Sequence, residues 1–216
     1  MADDPIISSE SLTSEPVLQK DDAPTIGLHL DIETLDTGPR SVITQIALTG
    51  VDLESEEFLP HPVHSYIPIQ PQLDLIKPRT ISADTLWWWM RQSDEARAEF
   101  EKSLGNDFGS LSVLMKHLTM MFNQMTNHGQ TDYIVIARGP QFDAVNVESL
   151  YYDCGMRAPW EYSRLVDLRT LIREAGITKE EEKALAPRGF VAHNAAWDTR
   201  LQAKLYFEAR RRLRAR

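Results

Sequence analysis

Three apolar, β-branched stretches, 25–31, 42–48 and 63–69, follow one another early in this chain with turn-forming residues between them. Such runs fit a pleated, half-buried surface, and their spacing predicts consecutive strands. Asp36-Thr37-Gly38-Pro39-Arg40 fills the first gap, and Pro60, Pro62, Pro68, Pro71 and Pro78 punctuate the later segments. Strands joined this closely pair antiparallel, so a meander is expected. Further on the period changes. Ser82 suits the N-cap of a helix carrying Leu86, Trp87, Trp88, Trp89 and Met90, and residues 94–104 read as helical. Leu111, Leu114, Met115, Leu118 and Phe122 recur at helical spacing up to Met125. Tyr133 to Ala137 is a buried strand. Helices are expected over 142–154, over 165–175 with Gly176 as stop, and from about Asn194; the charged, Pro/Gly-broken stretch 177–189 is expected to be a mobile loop. A meander followed by alternating helix and strand indicates an α/β sheet with helices on its faces.

With 216 residues and an apolar fraction of 42%, the chain holds one domain with a full core. No apolar run approaches the roughly twenty residues needed to cross a membrane, and the acidic, polar start lacks the layout of a signal peptide. Cys154 is the one cysteine, which excludes an internal disulfide and a thiolate-rich zinc site. A soluble, cytoplasmic setting is the expectation. The net charge of −9 argues mildly against tight nonspecific binding of nucleic acid. Much of that charge stands in residues 1–23, read as a flexible acidic leader, whereas residues 210–216 form a strongly basic tail. Residues 24–209 are then the domain.

The chemistry concentrates at Leu30-Asp31-Ile32-Glu33-Thr34. On a strand, Asp31 and Glu33 project to the same side, where two close acids repel each other. A hard divalent cation removes that objection; a strand end in solvated acids is the bland alternative. Asp143 follows the 133–137 strand at a helix start, where an acid also serves as a cap or dipole partner. Asp198 lies five residues after His193, about a turn inside the last helix, with His193 at its mouth. Alone, such a histidine is more often a surface or capping residue. The run Trp87-Trp88-Trp89 cannot face one side of a helix, so it divides between core and groove; base stacking is the alternative use.

Taken in order, Asp31-x-Glu33, Phe142-Asp143 and His193-x4-Asp198 resemble the DEDDh exonucleases of the DnaQ-like, ribonuclease H-type superfamily. The Rv2179c-like and phage exonuclease A subgroup is the closer resemblance, through Asp31-Ile32-Glu33-Thr34-Leu35, Thr80 to Trp88, Pro159-Trp160, Asp167 to Leu171 and His193-Asn194-Ala195. The chain departs from the subgroup at Arg138-Gly139-Pro140 and at Ala144, which stands where Asn is usual, with Asn146 two positions on. The resemblance implies a ribonuclease H-like mixed sheet and a metal-dependent 3′–5′ exonuclease of single-stranded nucleic acid. Two divalent cations, Mg²⁺ or Mn²⁺, would be held by Asp31, Glu33, Asp143 and Asp198, with His193 as general base. It also implies Thr34 and Leu35 in the terminal-nucleotide pocket. Arg138 and Asn194 are candidate substrate contacts, a surface ion pair being the alternative for Arg138.

The partner expected is the 3′ end of single-stranded DNA or RNA, with DNA slightly favoured by the phage-like resemblance, and a homodimer is compatible with the family. A second reading is a nuclease fold serving as a protein-binding module, supported by the charge-blocked ends. A carboxylate-pair glycosidase is weaker, since it leaves His193 and the fourth acid unused.

Overall fold

The meander forms, and it supplies one half of a mixed sheet. The computed structural model describes residues 24–104 and 110–216, so the acidic leader 1–23 lies outside the described residues. Five strands, β1 (Ile26–Thr34), β2 (Ile43–Asp52), β3 (Val63–Tyr66), β4 (Tyr133–Ala137) and β5 (Leu165–Asp167), stand in the order β3-β2-β1-β4-β5. β3, β2 and β1 pair antiparallel, whereas β1, β4 and β5 pair parallel. The helices are α1 (Gln70–Leu73), α2 (Ala83–Met90), α3 (Asp94–Glu101), α4 (Leu111–Met125), α5 (Asp143–Asp153), α6 (Leu168–Glu174), α7 (Lys179–Leu185) and α8 (Ala195–Arg214). Among the described residues no helix is long and apolar enough to cross a membrane.

The period of two along β1 sorts its side chains between two cores. Leu28, Leu30 and Ile32 join Leu114, Leu118 and Phe122 of α4 and Val147 and Leu150 of α5. Each such side chain, fully buried, contributes about 1.5–3 kcal/mol. The alternate residues turn toward α8, where the His29 ring meets Tyr206 edge-on at 5.9 Å and Asp31 accepts a hydrogen bond from Gln202 Nε2 at 2.8 Å. α6 and α8 cover this face with Leu168, Ile172, Leu205 and Phe207. The pairing of β4 with β1 covers only Ile26 to His29. Beyond His29 the strands diverge, and the last residues of β1 are open to whatever follows β4.

Three segments differ from the sequence expectation. Only Val63 to Tyr66 pairs with β2, because Pro68 cannot donate to a ladder. Leu165 to Asp167 extends the sheet rather than starting a helix; Asp167 instead caps α6 by accepting from Arg169 N–H at 3.0 Å. Residues 179–185, expected in a mobile loop, form α7, started by a capping box in which Thr178 and Glu181 satisfy each other's backbone N–H. The basic residues at 210–214 are the last turns of α8. There Arg212 reaches Glu181 at 2.7 Å and Glu208 at 2.8 Å, and Arg210 donates to Leu53 O.

Candidate active site

The acids converge because three elements end at one edge of the sheet. Asp31 and Glu33 stand on the α8 face of β1, opposite Ala47 and Gln45, just before the register shifts at Thr34. Asn194 caps α8, its Oδ1 accepting from the Ala196 and Trp197 N–H groups at 3.1 and 3.2 Å. The cap fixes where the helix starts, and Asp198 in its first turn faces β1. Carboxylate oxygens of Asp31, Glu33 and Asp198 lie within 4.8 Å of one another. Asp143 arrives from the other side as the first residue of α5. The Ile32 backbone N–H, in the part of β1 that β4 leaves open, favours the ionised form of Asp143. Gly139, at φ 155°, makes the turn from β4 into α5, and its backbone passes close to Asp143.

Among the described residues no basic side chain makes a salt bridge with any of the four acids, His193 at 3.8 Å from Glu33 apart. Burial raises Asp31 well above the usual carboxylate range, the charges of Asp198, Asp143 and Glu33 raise it further, and the Gln202 amide opposes them. Burial raises Glu33 likewise, with Asp198 and Asp143 adding to it. Burial pushes Asp143 and Asp198 up to about 7, against the pull of Arg169 on the first and Arg138 on the second. An all-oxygen set with this much unspent negative charge fits hard divalent cations, and offers zinc little beyond one histidine. Asp31, Glu33 and Asp198 suit one ion. Asp143 stands outside that triplet.

His193 holds the mouth of the site. Its φ of 63° is a left-handed conformation that costs a non-glycine residue about 1–2 kcal/mol. Gln45 keeps it there: Nε2 donates to the His193 carbonyl at 3.4 Å and Oε1 accepts from the Ala195 N–H at 3.2 Å. The imidazole stands edge-on to Trp88 at 4.7 Å and is 35% exposed, with Nδ1 3.8 Å from Glu33 Oε1. That is too long for a hydrogen bond. Burial lowers its pKa below the ordinary 6.5, so the ring is neutral near pH 7.

A cleft of about 450 Å³ opens beside the acids, bounded by Glu33, Thr34, Thr37, Asp84, Trp88 and Phe142 among others. The tryptophan run divides three ways. Trp89 is buried and its Nε1–H donates to Thr34 O at 2.9 Å; Trp88 walls the cleft; Trp87 is 61% exposed. Among the expected substrate residues, Thr34 lines this cleft. Leu35 is 2% exposed and packs with Val42, Trp89 and Ala96 in the core. Asn194 is occupied as the helix cap, and Arg138 pairs with Glu182 of α7 at 2.5 Å. Gln45 and Gln202 were not singled out by spacing, whereas Trp88 belongs to the tryptophan run expected to reach a groove. Nothing local marks the two glutamines, since their partners are 150 and 171 residues away.

The Rv2179c-like family, described as a 3′–5′ exoribonuclease domain, matches residues 27–209. No curated protein matches the chain. Among solved structures, it is similar to E. coli exonuclease I in complex with a dA16 oligonucleotide, at 16% identity and TM-score 0.60 over 88% of this chain and 42% of that one. Product-bound exonuclease I gives 14% and 0.59 over 89% and 45%. The nuclease domain of 3′hExo, a DEDDh family member bound to rAMP, gives 11% and 0.57 over 89% and 93%. These likenesses establish the ribonuclease H-like fold. The chain spans less than half the length of the exonuclease I chains.

Proposed function

The chain belongs to the Rv2179c-like family of 3′–5′ exonuclease domains, and we propose that it removes nucleotides from the 3′ end of single-stranded RNA with two divalent cations. The convergence of Asp31, Glu33 and Asp198 within 4.8 Å, with Asp143 beside them and His193 at the mouth, carries this reading. Bound Mg²⁺ or Mn²⁺ supplies positive charge to the scissile phosphate, the attacking water and the leaving oxygen. Asp31, Glu33, Asp143 and Asp198 would hold these ions.

His193 accepts the proton of the attacking water at Nε2, the ring nitrogen turned away from Glu33. Its neutral form is the working form, and burial keeps it available. Phe142 and Trp88 offer apolar walls to the terminal base. Thr37 and Asp84 give the same cleft hydrogen-bonding groups that a ribose 2′-hydroxyl can meet as donor or acceptor. Together with the family description, these groups favour RNA over the DNA leaning of the sequence. The binding-module reading loses support, because Arg211 and Arg212 are taken up by ion pairs within the chain.

The test is digestion of matched 5′-labelled single-stranded RNA and DNA with Mn²⁺. A ladder shortening from the 3′ end, with RNA degraded at least tenfold faster, is expected. Faster digestion of DNA contradicts the sugar assignment, and shortening from the 5′ end contradicts the polarity.

A further inference from the structure

α8 carries a second stripe that the catalytic reading leaves unused. Asp198 and Gln202, four apart, face β1, whereas Trp197, Arg200 and Lys204, at i, i+3 and i+7, share another face. That face borders a cleft of about 370 Å³, closed by Phe58 beyond β2 and by Pro187 before α8. None of the side chains lining it is acidic. The Arg200 guanidinium lies 5.2 Å from the Trp197 ring centroid. Arg200 and Lys204 are exposed, and neither makes a salt bridge with a described residue, unlike Arg211 and Arg212 on the same helix. In a chain of net charge −9, these two cations, without an acidic partner among the described residues, stand beside an aromatic face and an apolar wall.

We propose that this cleft holds the nucleic-acid strand 5′ to the nucleotides at the active site, with Arg200 and Lys204 on successive phosphates and a base against Trp197 or Phe58. The inference rests on the exonuclease reading. Charge complementarity and stacking faces are what single-stranded nucleic acid requires, without any reading of sequence. Position supports it as well, since Trp197 immediately precedes the acid Asp198. From Asp198 to Lys204 the helix rises about 9 Å. Arg200 is therefore nearer the site than Lys204, and a 12-mer engages both more fully than a dinucleotide does.

The experiment uses the full chain and the double variant Arg200→Gln/Lys204→Gln, with a ribodinucleotide and a 12-mer as substrates at several salt concentrations. For the 12-mer, KM should rise about tenfold with kcat unchanged, and the slope of log KM against log salt should fall by about 1.4, roughly 0.7 per phosphate lost. Dinucleotide hydrolysis should change far less than hydrolysis of the 12-mer. An unchanged KM and salt slope for the 12-mer overturns the proposal, as does an equal loss on the dinucleotide. Fluorescence anisotropy of a labelled 12-mer reads the cleft without turnover: about tenfold weaker binding by the variant is expected, and equal binding overturns it. If the parent cleaves neither substrate, the exonuclease reading falls, and anisotropy still decides the cleft.

Discussion

Two clusters of charge are buried in this molecule, one at each end of α5, and they are built on opposite principles. Near its last residue, Arg79 is fully buried and nearly saturated. It donates to Ser41 O at 2.8 Å, Ser149 Oγ at 2.9 Å, Asp153 at 3.0 Å and Asn146 O at 3.1 Å, while Arg40 takes the other oxygen of Asp153 at 2.8 Å. At the first residue of the same helix, Asp143 joins three more acids, and among the described residues no basic side chain makes a salt bridge to any of them, the distant His193 apart. Burial is costly in both places. In the first it is offset by geometry inside the protein, so that network fixes the 36–41 loop against α5. In the second it is left open inside the protein, so protons or bound cations must offset it. Saturated charge here is architecture, and unsaturated charge is chemistry.

The largest effects should separate the two clusters by what is lost. Asp31→Ala should abolish cleavage while the thermal midpoint holds or rises, because a repelling charge is removed. Arg79→Ala should instead cost about 3–5 kcal/mol of stability, since it strands Asp153 and the loop carbonyls, and denaturant titration reads it. Next in size, His193→Ala should lower kcat by roughly 10²–10⁴. In the parent the rate should climb with pH and level off above a value below 6.5, as the imidazole loses its proton.

A smaller effect follows from linkage. Asp143 and Asp198 titrate at about 7 in the folded chain against 3.8 ordinarily, so the folded state binds more protons between those values. Their contribution to stability is therefore fully present below 3.8 and is lost as pH rises through about 7. In metal-free protein, Asp143→Asn should flatten this decline, so its gain in thermal midpoint over the parent should be larger at pH 7.5 than at pH 5. An equal gain at both would sink the linkage argument. The smallest effect belongs to Gln202→Ala. It removes one hydrogen bond to Asp31, worth about 0.5–1.5 kcal/mol, and should lower kcat roughly three- to tenfold with the fold intact.

The open cluster was more legible in the sequence than the saturated one. Asp31-x-Glu33 and His193-x4-Asp198 are local spacings, and strand and helix periods turn local spacing into shared faces. The meander, β4 and α4 were legible for the same reason. Gln45, Gln202 and Arg79 were not, because each acts on a backbone or side chain far away in sequence, and a lone Gln or Arg carries no spacing. β5 and α7 escaped because a strand of three residues shows no alternation and a helix of seven, rich in Glu and Lys, has no buried residue to set a period. For Arg138 the structure shows the ion-pair alternative, with Glu182, a partner too far along the chain for a motif to reveal, and Asn194 is the cap of α8.

The most direct test of the central claim is the cleavage rate of 3′-labelled single-stranded RNA against Mn²⁺ concentration, for the parent and Asp31→Ala, with a chelator control. The account predicts saturable, metal-dependent release of the 3′ nucleotide by the parent, none in chelator, and none at any Mn²⁺ concentration for the variant. Cleavage that survives chelation, or that Asp31→Ala leaves at the parent rate, would contradict it.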